Sequence, residues 1–214
     1  MTTADYRPFV ERMIARYEGG YGWDRNDSGG PTKYGITCFD LAEHRHQVMD
    51  SMVRWAPIVR AMSLQEADDI YDAKYATACA FAALNAGKDC VVFDFGVNSG
   101  PSRAVKYAQM VAKVGVDGIL GPITRNAINA ADPRLFINSL CDARLAFLHS
   151  LRTWDVFGAG WFARVKDLRT YSLGLAYPPA KAPLEGYVDK SERIPLAYGK
   201  AYDPADLPKE GKRA

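Results

Sequence analysis

The segment from Glu18 to Thr37 carries the side chains of this sequence that are best suited to chemistry. Glu18, Asp24 and Asp27 supply carboxyl groups and Thr32 adds a hydroxyl, in a run that is otherwise rich in glycine and aromatic residues. Hydrolysis of a glycosidic bond needs two carboxyl groups in different protonation states. One gives its proton to the leaving oxygen, and the other stays ionised to activate water or to stabilise the transition state.

The residues before Glu18 predict how its carboxyl group stays protonated. Apolar side chains recur there at spacings of three and four, which is typical of one helix face; they are Phe9, Val10, Met13, Ile14 and Tyr17. Gly19 and Gly20 favour the end of this helix. Glu18 then lies at the negative end of the helix dipole, where the neutral acid is favoured. Asp24 and Asp27 follow in a polar loop, where we expect them to be ionised.

The same segment resembles the signature of the glycoside hydrolase family 108 lysozymes. The matching positions are Glu18, Asp24, Asp27, Gly29, Gly30, Thr32, Tyr34, Gly35, Ile36 and Thr37. The departures are Gly22, Arg25, Asn26, Ser28 and Pro31. None of them removes an expected catalytic carboxyl group, although Asn26 replaces what is often a third acid. Three later strings resemble the predicted peptidoglycan-binding domain that follows in this family: residues 93–100, 116–124 and 157–164.

This resemblance implies an enzyme that cleaves the β-1,4 bond between N-acetylmuramic acid and N-acetylglucosamine in peptidoglycan glycan strands. It implies no metal and no organic cofactor. Glu18 is then the general acid, and Asp27, helped by Thr32, activates water, which favours inversion over retention. The family suggests a phage or prophage endolysin, or a bacterial muramidase used in protein release. A chitinase- or chitosanase-like hydrolase and a non-catalytic wall-binding module are the alternatives.

Four further residues are candidates for substrate binding, and each has a structural alternative. Trp23 and Tyr34 can stack on sugar rings, but aromatic residues are commonly part of a core. Asp24 can instead hold the loop or Thr32. Asn98, like Asp94, can line the cleft or tie helix ends together. Asp27 itself has an alternative role as a turn former.

For three residues outside this group we mainly expect a structural role or a position on the surface. Turn chemistry favours a structural role for Asp117, which precedes a glycine. Arg103 and Arg164 are able to bind substrate carboxylates or acetamides. Exposure on the surface is the default expectation for both arginines.

The pattern of the whole chain predicts a mostly α fold with a small irregular β-hairpin within residues 21–36, and the resemblance implies that this fold is lysozyme-like with two helical lobes. We expect a catalytic lobe over residues 1–88, a peptidoglycan-binding lobe over 89–176 and a proline-rich tail over 177–214. Caps and spacing predict the following helices: residues 39–49 after Thr37 with Asp40, one after Ser63 with Glu66, residues 90–97, one that starts at Pro101 or Ser102, runs through 111–112 and is ended by Gly115, one opened by Gly121-Pro122, one opened by Asp132-Pro133, and residues 159–173.

Composition and charge narrow the possible partners. The 214 residues are 48% hydrophobic and 24% charged with a net charge of +2, so no nucleic-acid partner is implied. No apolar run reaches the ~18–20 residues of a membrane span, so stable membrane insertion is not expected. The first residues lack a signal-peptide pattern. We therefore expect a monomer that is made in the cytoplasm and acts on the wall in the periplasm after release.

The four cysteines are scattered and form no Cys-x-x-Cys pair. With only three histidines they do not make a zinc pattern. A disulfide framework is the alternative, but their apolar helical surroundings favour buried free thiols.

Overall fold

A computed structural model describes residues 7–10, 12, 20–23 and 29–178 of the chain. The described part is mostly α-helical with a small antiparallel sheet, which confirms the predicted lysozyme-like fold. Glu18, Asp24 and Asp27 lie outside the described residues, as does the tail beyond residue 178.

The sheet lies within the predicted catalytic segment and has three strands. Its strands are β1 (Tyr21–Gly22), β2 (Thr32–Lys33) and β3 (Ile36–Thr37), and β2 is central. Tyr34 and Gly35 join β2 to β3 with φ angles of 53° and 75°. Positive φ at both positions is what a two-residue type I′ hairpin turn requires.

The helices follow the sheet. They are α1 (Cys38–His44), α2 (Met52–Ala61), α3 (Leu64–Ile70), α4 (Lys88–Ser99), α5 (Pro101–Val111), α6 (Pro122–Ala130), α7 (Pro133–His149) and α8 (Trp154–Ala176). Helix α3 continues into a π-helical segment, Tyr71–Ala76, and a 3₁₀ turn spans Phe81–Ala83.

Most predicted helix starts are confirmed at the level of hydrogen bonds. Thr37 and Asp40 form a complete capping box at α1. The side chain of Asp132 caps α7 by accepting from the backbone N–H of Leu135 at 2.8 Å. Ser63 accepts from the backbone N–H of Glu66 at α3.

Several helix bounds differ from the predictions. Helix α1 ends at His44, before Met49. Helix α5 ends at Val111, close to the predicted bound, but the chain turns at Lys113 with φ 57° rather than at Gly115. Helix α8 is longer than predicted at both ends, and α2 was not predicted at all. The Ser63 capping box is only half formed, because the carboxylate of Glu66 binds Arg45 with two hydrogen bonds of 2.7 and 2.8 Å.

Helix α4 is the centre of the core. Every residue from Lys88 to Gly96 is buried, and the helix packs against α5, α7 and α8. The buried Lys88 places its ammonium on the carbonyl oxygens of Ile128 and Asn129, at 2.7 and 3.1 Å, and on that of Ala131. It thereby satisfies carbonyls that the end of α6 leaves without helical partners.

The beginning of the chain packs against its last described helix. Residues 7–10 and 12 are helical. The ring of Phe9 lies 6.1 Å from that of Phe93 on α4 and 5.5 Å from that of Tyr171 on α8. Arg12 pairs with Asp167 of α8 at 3.4 Å.

The four cysteines are free and buried, as predicted. Burial raises the pKa of the Cys79 thiol to about 12. Across the described ranges, no helix combines the length and the apolar character needed to cross a membrane.

Candidate active site

The structure describes four of the seven predicted site residues. Thr32 and Tyr34 belong to the sheet and its β2–β3 turn, Trp23 directly follows β1, and Asn98 lies in the last turn of α4. All four are half-buried. Glu18, Asp24 and Asp27, which lie outside the described residues, border this sheet in the sequence.

One face of the sheet packs onto the protein. Tyr21, Lys33 and Ile36 lie opposite one another in the two ladders and so share a face. Ile36 is fully buried. The ammonium of Lys33 donates to the carbonyl oxygens of Arg60 and Met62, at 2.7 Å each, at the end of α2. This face therefore anchors the sheet.

The opposite face carries Thr32. Gly22, Thr32 and Thr37 share it by register, and Gly22 is exposed. The Thr32 hydroxyl donates to the carbonyl oxygen of Gly30 at 3.2 Å. Because a hydroxyl has two acceptor lone pairs, Thr32 can still accept a hydrogen bond from a water molecule or a sugar hydroxyl.

A charged cluster fixes the strand next to Thr32. Asp40 accepts from the hydroxyl of Thr37 at 2.8 Å and from Lys74 at 2.8 Å. Burial of Lys74 lowers its pKa, but its hydrogen bonds to Asp40 and Glu43 outweigh burial and leave the pKa raised. Burial and the charge of Asp40 both raise the pKa of Tyr75. The π-helical segment therefore holds the end of β3 through the Lys74–Asp40 ion pair and the hydrogen bond of Asp40 with Thr37.

Close packing also fixes the turns on either side of Thr32. The hydroxyl of Tyr71 donates to the carbonyl oxygen of Tyr34 at 2.8 Å, which holds the β2–β3 turn. Gly30 has φ 72°, and a Cβ there would lie 2.9 Å from the Sγ of Cys38. A side chain is therefore excluded at Gly30 by both conformation and space.

Asn98 is not joined to the sheet by any hydrogen bond in the described part of the chain. Its side-chain oxygen accepts from the hydroxyl of Ser99 at 3.1 Å. Arg103 donates to the carbonyl oxygen of Ser99 at 3.0 Å and lies over the ring of Phe147, so it is half-buried rather than fully exposed. A substrate role for Asn98 stays a prediction.

Asp94 is a structural residue, and the surface expectation for Arg164 is wrong. Asp94 is buried between Arg144 of α7, at 2.6 Å, and Arg164 of α8, at 2.9 Å. Burial raises the pKa of Asp94, but the two guanidinium groups outweigh it and lower the pKa below its ordinary value. Asp94 thus ties three helices together, and neither it nor Arg164 is open to a substrate.

Asp117 has the predicted role in a turn. Its carboxylate accepts from the backbone N–H of Ile119 at 2.8 Å and from the side chain of the buried Gln109 at 2.6 Å. These hydrogen bonds lower the pKa of Asp117, that of Gln109 contributing most. Within the described residues, no group of histidine, cysteine and acidic side chains is arranged to hold a metal ion.

Two models of known protein families match the chain. The model of the Glycosyl hydrolase 108 family matches residues 12–100, which include the sheet, and the model of the "Predicted Peptidoglycan domain" matches residues 102–166. No curated protein matches the chain significantly. Together the two family models support a glycoside hydrolase that acts on peptidoglycan.

A solved structure extends the likeness to most of the chain. The structure of Brucella abortus SagA is 36% identical in sequence, with a TM-score of 0.71, and the match covers 79% of this chain and 97% of that one. Identity at this level over nearly a whole relative, added to the family match over residues 12–100, shows common descent. The chain therefore belongs to the glycosyl hydrolase 108 family.

Proposed function

We propose that this protein is an N-acetylmuramidase, which hydrolyses the β-1,4 bond between N-acetylmuramic acid and N-acetylglucosamine. The observation that carries the proposal is the position of Thr32. Its hydroxyl lies on the sheet face that is not packed onto α2, within the range matched by the glycosyl hydrolase family. In the sequence, Glu18 stands before β1 and Asp27 stands between β1 and β2, so the two acids flank β1.

Each residue has a defined part in this reaction. Glu18 protonates the leaving glycosidic oxygen as general acid. Asp27 takes a proton from the attacking water, and the Thr32 hydroxyl orients that water by accepting its second hydrogen bond. Asp24, Trp23, Tyr34 and Asn98 bind the sugar units, the two aromatic rings by stacking on their apolar faces.

The division into lobes and the cellular setting that we propose are those expected from the sequence. Residues 1–88 form the catalytic lobe, residues 89–176 the peptidoglycan-binding lobe and residues 177–214 a tail. The protein acts as a monomer on the cell wall, as the endolysin of a phage or prophage, and reaches the wall in the periplasm after release from the cytoplasm.

Product analysis tests the proposal directly. Purified peptidoglycan is digested with the protein, and the soluble fragments are identified by mass spectrometry after borohydride reduction. We expect reduced N-acetylmuramic acid at the new ends. Reduced N-acetylglucosamine ends, or cleavage of chitin oligomers in preference to peptidoglycan, would assign a different glycosidic bond. Binding to the wall without release of fragments would favour the non-catalytic module.

Two variants test the assigned roles. Glu18→Gln keeps the shape of the side chain and removes its proton, so we expect a loss of at least ~10²-fold in rate. Thr32→Ala is expected to lower kcat, and Thr32→Ser to restore most of it, because serine retains the hydroxyl. Near-normal hydrolysis by Glu18→Gln at equal concentration would remove Glu18 from the role of acid.

A further inference from the structure

Gly22 occupies a strand position at which nothing in the described part of the chain requires glycine. It is not among the residues with positive φ, so a side chain is compatible with its backbone. A Cβ built at this position meets no atom of the described residues within 4 Å. Gly30, in the same segment, differs on both counts, with φ 72° and a Cβ position 2.9 Å from the Sγ of Cys38.

The register places the open space at the Cβ position of Gly22 (the gap) next to Thr32. Gly22 lies directly opposite Thr32 in the β1–β2 ladder, so a side chain at residue 22 would stand on the face that carries the Thr32 hydroxyl. Opposite Cβ atoms in such a ladder are about 4.5–5.5 Å apart. A β-branched side chain at residue 22 would therefore fill the volume beside that hydroxyl.

Glycine inside a strand is unfavourable, because it loses more backbone entropy than other residues and packs nothing. A strand glycine marks a bulge, a tight bend or a place where a ligand or another backbone approaches closely, and at Gly22 neither its φ nor a close contact with a described residue supplies another reason. Gly22 is also a position at which this sequence departs from the signature that it otherwise resembles.

We infer that Gly22 is a specificity-determining residue that leaves the sheet face beside Thr32 open to a sugar unit of the glycan and its substituents. The inference rests on the proposed function, which places the glycan at Thr32. A side chain at residue 22 competes with the sugar for the same space, and the competition grows with the size of the side chain. The position thus limits how bulky a sugar unit the site accepts.

A graded series of variants tests this inference. Gly22→Ala and Gly22→Val are compared with the wild type and with Gly174→Ala, a matched control at an exposed glycine of α8 that also has no described atom within 4 Å of its Cβ position. The unfolding temperature, and kcat and KM on soluble peptidoglycan fragments, are measured for each. Affinity for an uncleaved fragment is measured by calorimetry in the Glu18→Gln background.

We expect both Gly22 variants to unfold at or above the wild-type temperature, because a strand favours a residue with a side chain over glycine. We expect kcat/KM to fall in the order alanine then valine, by at least about tenfold for Gly22→Val. The affinity for the uncleaved fragment should fall in the same order. Gly174→Ala should leave both kcat/KM and this affinity unchanged. A lower unfolding temperature for Gly22→Val would overturn the inference, since it would give Gly22 a role in the fold.

The inference and the proposed function fail in different ways. If Gly22→Val retains full activity and affinity while Thr32→Ala loses activity, the glycan does not lie over residue 22 and only the inference is overturned. If the wild type does not hydrolyse peptidoglycan, the proposed function is overturned. The affinities of wild type and Gly22→Val for the fragment then decide the inference: weaker binding by Gly22→Val supports it, and equal binding or none by the wild type overturns it.

Discussion

Asp94 of α4 and Arg144 of α7 form an ion pair of 2.6 Å in which each side chain is only 2% exposed. Arg164 of α8 completes the arrangement from the other side of the carboxylate, at 2.9 Å. A buried carboxylate is costly unless it is paired and hydrogen-bonded. The three residues are therefore interdependent, and loss of the one anion leaves two buried cations beside each other.

Asp94→Asn should destabilise the protein by about 3–5 kcal/mol, because breaking a buried pair leaves uncompensated charge. Urea unfolding of the variant and the wild type measures the difference. Asp142→Asn is the matched control, since Asp142 pairs with Arg169 but has a side chain that is 49% exposed. Its expected cost is below about 1 kcal/mol. Equal losses for the two variants would contradict the structural role of Asp94.

The same carboxylate predicts a pH dependence of stability. The pKa of Asp94 in the folded protein is lowered, so its contribution is fully present above the unfolded pKa of about 3.9 and is lost as pH falls through the lower folded value. The difference in unfolding free energy between wild type and Asp94→Asn should be constant near neutral pH and should shrink below about pH 4. A difference that grows on acidification would be contrary to the ion-pair geometry.

The thiols should be inert in the folded protein. Reductant is expected to leave the unfolding temperature unchanged, whereas breaking one native disulfide typically costs about 2–5 kcal/mol in a small domain. Ellman's reagent should react slowly at first, because burial raises the pKa of Cys79 to about 12 and that of Cys141 to about 11. After unfolding in guanidinium chloride, all four thiols should titrate. Rapid reaction of the native protein would show that a thiol is accessible.

The proposed roles of Glu18 and Asp27 predict an inverting reaction. If Asp27 activates water, the two carboxyl groups need about 6.5–9.5 Å between them. Proton NMR taken early in the digestion of a soluble fragment should then show the inverted anomer first. A retained anomer would require an aspartate nucleophile at about 5–5.5 Å from Glu18.

Local signals in the sequence predicted much of the fold. Thr37, Ser63 and Asp132 each accept the capping hydrogen bond that their spacing indicated. Such hydrogen bonds join residues three positions apart, so the sequence alone is enough to predict them. Helix α2 was missed because Pro57 stands inside it and its first turn lacks a side-chain cap. The π-helical segment has no sequence signal beyond that of an ordinary helix.

The supports of the candidate site depend on contacts that a sequence pattern does not report. Arg164 reaches Asp94 across 70 residues, and Tyr71 reaches Tyr34 across 37. Lys33 lies within the segment from Glu18 to Thr37 without being a candidate there, and its contacts with the end of α2 follow only from the fold. Residue types and spacing thus indicated the candidate reacting groups, and tertiary packing determined which neighbours hold the sheet beside them.

The contacts of Phe9 and Arg12 with α8 have a consequence for the nascent chain during translation. Arg12 and Asp167 are 155 positions apart, and Tyr171, the partner of Phe9, is translated later still. The segment that leads to Glu18 therefore receives these partners only when α8 has left the ribosome. A prematurely terminated product that ends before α8 therefore lacks both contacts, so Phe9 and Arg12 reach their α8 partners only late in synthesis.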